Sequence, residues 1–386
     1  MNIGKLTLRE LRCGRRFCAV FLFFAVTAIA SPAQTFTTLV NFEYTNGSGP
    51  NPLVQGVDGK LYGTTGGGGT NFSGTVFRVT AEGTLTTLYS FCYLSCLDGK
   101  IPSARLALSA GGNFYGTTEQ GGNRSCGGTG CGTAFKVTPG GMLTTLYDFD
   151  LSSGHLPLVQ ASDGSFYGTM STGGANGYGS VFKLTAAGQF TTVYSFCSKT
   201  YCRDGYDPGS LILGTDGALY GTTQLGGVGT CGNGYSCGTI FRITTAGKLT
   251  TLYAFPAGGA QGWSPDVQPV QGADGSFYGA TTEGGANNVG TIFKMTAPGK
   301  VTTLYSFCSA ANCTDGAYGA NLVQGTDGNF YGTTPGGGDL SCGNFRFGCG
   351  AIFSMTPAGA LTTLHTFENT DGNNPEGLVQ ATDGNF

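Results

Sequence analysis

Residues 322–367 read LVQGTDGNFYGTTPGGGDLSCGNFRFGCGAIFSMTPAGALTTLHTF, and this stretch decides the fold. It holds four short strand-like runs. LVQG (322–325) leads through Thr326-Asp327-Gly328 into NFYGTT (329–334). A Gly-rich loop follows, then GAIFSMT (350–356), a turn at Pro357-Ala358-Gly359, and LTTLHTF (361–367). Thr, aromatic and aliphatic side chains fill the runs, as suits a pleated and half-buried surface. Gly-bearing turns join runs 1–2 and 3–4, which is hairpin chemistry. No segment carries apolar residues at helical spacing over even three turns.

The same unit recurs along the chain. Tyr-Gly-Thr stands at Tyr62, Tyr115, Tyr167, Tyr220 and Tyr331, with Tyr-Gly-Ala at Tyr278, giving spacings of 53, 52, 53, 58 and 53 residues. Four antiparallel strands in about 50 residues is the pattern of a β-propeller blade. A parallel β-helix needs a shorter coil. The expectation is all-β, a propeller of four-stranded blades in a single domain over 34–386. An orphan run 4 (TFTTLVNF, 35–42) precedes six full repeats at about 53–367, and an orphan run 1 (LVQATDGNF) occupies 378–386. Since the last run stops in mid-hairpin, the reading is a C-terminal truncation of a seven-bladed ring. The alternative is a six-bladed ring with a frayed tail. In the seven-bladed case the N-terminal strand would complete the last blade and leave no open sheet edge.

Composition agrees with this architecture. Gly makes up 70 of 386 residues, against about 7% in average proteins. Charged residues are only 11% and aromatics 12%, which excludes intrinsic disorder. No Gly-X-Y period appears, which excludes collagen. Two His and one Trp leave little material for most catalytic machinery.

The combined motif LVQG-x-DG-xx-YGTT, a following Gly-Gly, GT-x-F and TTLYSF resembles the GloVer-type tandem-repeat proteins of bacterial surfaces and secretions. It stands here at 53–65 with 74–77, at 322–334 with 350–353, and as TTLYSF at 86–91 and 302–307. The resemblance covers essentially all of 35–386. It implies an exported repeat protein with an interchangeable C-terminal anchoring segment and no established activity. The chain shows no anchor segment, which the expected truncation would explain, and it departs from the pattern in Ala110-Gly111-Gly112 where Asp-Gly usually stands.

Residues 1–33 read as an export signal. Lys5, Arg9, Arg12, Arg15 and Arg16 form a basic leader, Phe17 to Ala30 is apolar, and Ser31-Pro32-Ala33 offers a small-residue cleavage site. The apolar stretch is shorter than the roughly 20 residues a membrane-spanning helix needs. Removal of 1–33 leaves 14 Lys+Arg against 21 Asp+Glu, a net charge of −7. With no basic cluster for phosphates, nucleic acid is not an expected partner. The mature chain is expected to be a soluble monomer without a transmembrane helix, located outside the cell, in a periplasm or on the cell surface.

The twelve remaining cysteines fall into close pairs: Cys92/Cys96, Cys126/Cys131, Cys197/Cys202, Cys231/Cys237, Cys308/Cys313 and Cys342/Cys349. Close pairs in an exported chain read first as disulfides, with zinc as the rival. All six lie in the long loops of one propeller face. Each even repeat has two cysteine-bearing loops on one edge, so pairing within a loop and pairing across two loops both remain open. Stapled loops on a rigid scaffold are a usual place for binding.

The candidate contacts in those loops are Trp263, Tyr93, Tyr201, Arg203 and Arg346. Trp263 could stack on a sugar or pack over a blade edge. The Asp-Gly turns at Asp58, Asp163, Asp216 and Asp274 read as hairpin chemistry, not calcium sites, because each supplies one carboxylate. Asp98, Asp204, Asp315 and Asp371 precede Gly in the run 4-to-1 connections and read as turn residues. His155 and His365 form no visible nucleophile or metal set. Run 1 is expected to line the central channel with Gln55, Gln160, Gln271 and Gln324, which make no paired-carboxylate site. No catalytic, cofactor or metal residue is assigned. The expectation is a non-catalytic binding or adhesion protein for a glycan, a cell-surface polymer or a protein. The alternatives are a purely structural surface repeat protein and a propeller glycosidase or lyase.

Overall fold

The computed structural model describes residues 35–386 except 94, 124–125, 127–128, 152–156, 230–236, 266, 297–298, 320 and 343–347. The expected export signal at 1–33, His155, Cys231 and Arg346 lie outside the described residues.

Six four-stranded antiparallel blades follow one another in chain order. The third blade shows the plan, with strands Val159–Gln160, Phe166–Met170, Ser180–Leu184 and Phe190–Ser195 running from the ring axis outward. In the fourth blade the innermost strand is longer, Tyr206–Leu213. In the first two blades it is interrupted, so that Ser48–Pro50 and Val54–Gln55 both pair with Leu61–Gly67, and Lys100–Pro102 and Ala107–Leu108 both pair with Phe114–Gln120. All six blades carry one β-bulge at the same place between the third and outer strands, as where Val76 faces Tyr89 but Phe77 faces Thr87. An extra residue there raises the local twist, which a radial blade needs toward its rim.

The recurring motif residues are packing parts. In the first blade, a Cβ on Gly63 would stand 2.6 Å from Leu53 Cδ2 and 2.7 Å from Phe77 Cζ. Only glycine lets the run 1 leucine and the run 3 phenylalanine meet across the strand. Between blades, the run 2 tyrosine stacks on the next blade, as in Tyr62–Phe114 at 4.2 Å and Tyr278–Phe330 at 4.0 Å between ring centroids. In the first five blades the phenylalanine that follows the outer strand meets the next blade's third strand edge-on, as in Phe196–Phe241 at 5.2 Å. These rings are fully buried, and each contributes both area and an aromatic pair.

The two orphan runs sit between the sixth and first blades and make the same contacts without forming regular strands. Phe42 packs edge-on against Phe77 at 5.0 Å, and Phe36 stacks on His365 at 4.2 Å. At the inner end, Tyr331 lies against Phe386 at 4.1 Å. Thr382 N–H donates to Gln55 Oε1 at 3.0 Å, and Thr326 N–H donates to Gln380 Oε1 at 2.9 Å. These contacts close the ring.

That last bond recurs, and it revises the reading of the glutamines. Gln160, Gln271 and Gln324 accept the backbone N–H of Ala110, Thr215 and Ala273 in the preceding blade. Each also donates to its own hairpin turn, as Gln160 Nε2 does to Gly164 O. The glutamines clasp neighbouring blades together and do not line the axial cavity.

Candidate functional site

Strands alternate in direction, so the short turns between runs 1–2 and 3–4 share one face. There the Asp-Gly aspartates do more than turn the chain. Asp163 accepts the Tyr167 hydroxyl at 3.0 Å and the Ser165 N–H, and it pairs with Lys183 at 2.9 Å. Asp216 with Tyr220 and Arg242, and Asp274 with Tyr278 and Lys294, repeat the arrangement. Burial alone would raise the Asp274 carboxyl, but hydrogen bonds from Lys294, the Ser276 N–H and Tyr278 bring it down to about 2. Each carboxylate is already occupied by its own blade. The sequence signal was present, as an Asp four residues before the Tyr in every repeat but the second.

The opposite face holds the loops. Asp204 is buried and accepts the Tyr194 hydroxyl at 2.8 Å, the Ser198 N–H and the Lys199 N–H. Burial there, with the bond to Asp204, pushes the Tyr194 hydroxyl up to about 12. Asp98 and Asp315 hold Tyr89 and Tyr305 in the same way. In the sixth blade His365 takes the tyrosine's part, with Nε2 2.8 Å from Asp371 Oδ2.

Cysteine pairing is within loops for Cys92–Cys96, Cys126–Cys131, Cys197–Cys202, Cys308–Cys313 and Cys342–Cys349, and Cys237 is also disulfide-bonded. The two loops of each even blade do touch, because Gly122, Gly227 and Gly338 donate their N–H to the carbonyls of Cys96, Cys202 and Cys313. On this crown Tyr93, Tyr201 and Arg203 are exposed. Trp263 is half-buried: its backbone exchanges hydrogen bonds with Glu283, and its ring packs on the core of the fourth and fifth blades. Among the described residues, no group of three or more His, Cys, Asp or Glu is placed to hold a metal ion.

The concave feature is at the axis. A cavity of about 420 Å³ is lined by the chain segments that enter the innermost strands, among them Pro52, Arg105, Pro157, Ser210, Gln268 and Asn321, together with Glu376-Gly377 of the last run. Every blade position around the ring contributes. Because each innermost strand ends in the short turn to the second strand, on the turn face, its start lies on the loop face. Arg105 and Glu376 carry the cavity's charge, and neither side chain makes an ion pair with a described residue. Burial lowers the Arg105 pKa and raises that of the Glu376 carboxyl. Gln268 Nε2 donates to Leu211 O at 2.8 Å, and Asn321 Nδ2 donates to Glu376 O. Sequence reading missed these residues because each occurs once and none belongs to a motif.

Comparison with known proteins now places the chain. The family model described as the Gloeobacter/Verrucomicrobia repeat matches residues 24–235, 129–345 and 208–386. No curated protein matches. Among solved structures, a streptogramin B lyase superposes with a TM-score of 0.58 at 19% identity, covering 88% of this chain and 89% of that one. A virginiamycin B lyase from Staphylococcus aureus gives 0.56 at 16% identity, covering 84% and 86%. At these identities the likeness is one of propeller fold alone. The repeat matches span nearly the whole chain, and it belongs to the Gloeobacter/Verrucomicrobia repeat family.

Proposed function

We propose that this is an exported, non-catalytic binding protein that takes a polar ligand of carbohydrate type on its loop face, with the axial cavity as the deepest part of the site. The observation that supports this most is the cavity itself. It is polar and is lined where the chain enters the innermost strands from the loop face, whose disulfide-stapled loops expose Tyr93 and Tyr201. Its volume falls in the lower part of the range of roughly 300–1,000 Å³ usual for small-molecule sites. Amides, hydroxyls and two charged groups suit a hydroxyl-rich solute. Exposed tyrosines offer apolar faces with polar tips. The disulfides support folding in an oxidising compartment.

A competing reading is a propeller enzyme, for which Glu376, with its raised carboxyl pKa, would be the general base in the same cavity. The described residues offer it no partner acid at hydrogen-bonding distance, so binding is preferred. A screen of the disulfide-bonded protein against neutral and acidic mono- and oligosaccharides and cell-wall polymers tests this. The expected result is millimolar or tighter binding without turnover. Turnover of a bound saccharide would favour the enzyme. Silence across the panel would favour a purely structural role.

A further inference from the structure

We propose that the axial cavity selects a carboxylate-bearing sugar, with the Arg105 guanidinium reading the acid group. This rests on the carbohydrate reading above and names its ligand class.

The repeat itself shows that Arg105 is not a structural requirement. The residue immediately before the first leucine-equivalent of run 1 is Pro52, Arg105, Pro157, Ser210, Gln268, Asn321 and Gly377 in successive positions. Six are neutral and one is a cation. Between Pro102 and Leu106 the chain is one residue longer than between Pro50 and Leu53 or between Pro208 and Leu211, a length it shares with Pro265 to Pro269 of the fifth repeat, where the last residue before the leucine-equivalent is the neutral Gln268. Ser103, Ala104 and Arg105 of that longer segment all line the cavity. What sets the second repeat apart is the cation it places there.

Arg105 has no hydrogen bond or ion pair with a described residue, while the walls strip enough water to lower its pKa. An unmatched guanidinium under partial burial is a cost to the free protein that an incoming anion would remove. Its planar fork matches a carboxylate with two parallel bonds.

The anion's charge is limited by what else is present. Arg105 is the only cation lining the cavity among the described residues, and Glu376 shares the space. A dianion such as a phosphate monoester would face one cation and a nearby carboxyl. A monoanion suits this balance. The remaining lining groups, Ser103, Ser210, Gln268, Thr282 and Asn321, are donors and acceptors for hydroxyls. Glu376 can accept hydrogen bonds from sugar hydroxyls, and burial raises its carboxyl pKa.

Isothermal titration of the disulfide-bonded protein with glucuronate and galacturonate, against glucose, galactose and acetate, tests the proposal. The acidic sugars are expected to bind about tenfold or more tightly than their neutral counterparts, as a charge-assisted pair implies. Arg105→Gln should erase that preference while leaving thermal stability undiminished, and Arg105→Lys should restore part of it. Equal affinity for acidic and neutral sugars, or a preference that survives Arg105→Gln, would overturn the proposal while leaving the carbohydrate reading intact. Acetate binding as tightly as glucuronate, with no response to any neutral sugar, would overturn the sugar reading and leave only an anion site at Arg105. Absence of binding by every probe would overturn both.

Discussion

On the turn face, Asp163 holds the Tyr167 hydroxyl and faces Lys183, and the fourth and fifth blades repeat the trio. At the axis, Arg105 and Glu376 share one cavity and neither side chain forms an ion pair with a described residue. Both regions arise from the same repeat. The first uses residues that recur and satisfy one another inside a blade. The second uses residues that occur once and meet only because the ring closes. Self-satisfied polar groups stabilise a fold, and unsatisfied ones facing a cavity are available to a ligand.

Substitutions can break or sharpen this contrast. The largest effect is expected at the recurring core, where Phe241→Ala removes a fully buried ring packed on Phe196. It should cost about 3–5 kcal/mol in denaturant unfolding. Tyr194→Phe comes next, since it takes a hydroxyl from buried Asp204. The expected loss is about 1–3 kcal/mol, read by the same method.

Acid should separate the two regions by sign. Asp274 has its pKa depressed to about 2 in the fold, below an unfolded value near 3.9. Its contribution is present above about pH 4 and is lost as pH falls toward 2. Glu376 is raised, so its contribution is present at low pH and is lost as pH rises through its folded pKa. Stability–pH profiles of Asp274→Asn and Glu376→Gln, each subtracted from the parent, should therefore slope in opposite directions. The smallest losses belong to surface charge: Lys294→Met should cost under about 1 kcal/mol, because the Lys294–Asp274 pair is partly exposed. At the axis Arg105→Gln should cost nothing or raise Tm slightly, since it removes a partly buried charge that has no ion-pair partner among the described residues.

The blades were legible because their signals recur. Tyr-Gly-Thr appears five times with Tyr-Gly-Ala as a sixth copy, the Gly-bearing turns and run lengths recur with it, and the structure turns each copy into the same strand or hairpin. The cysteines were legible as loop staples, although spacing left open the within-loop pairing that the structure has. The axial residues were not. Arg105 and Glu376 are far apart in the chain and share no pattern. Attention to recurrence also favoured Gln55, Gln160, Gln271 and Gln324, which turn out to join neighbouring blades. In a tandem repeat, a period marks what the scaffold needs. Departures from it, such as the cation at Arg105 where the other repeats have neutral residues, are the better guide to a site.

Hydrogen–deuterium exchange of the disulfide-bonded protein, with and without saturating glucuronate, tests the central claim most directly. The account predicts slowed exchange confined to the segments entering the innermost strands, around 103–106, 318–322 and 374–378. The Asp-Gly turns at 57–60 and 215–218 should be unchanged. Protection centred on those turns or on the outer strands, with the axial segments unaffected, would contradict it.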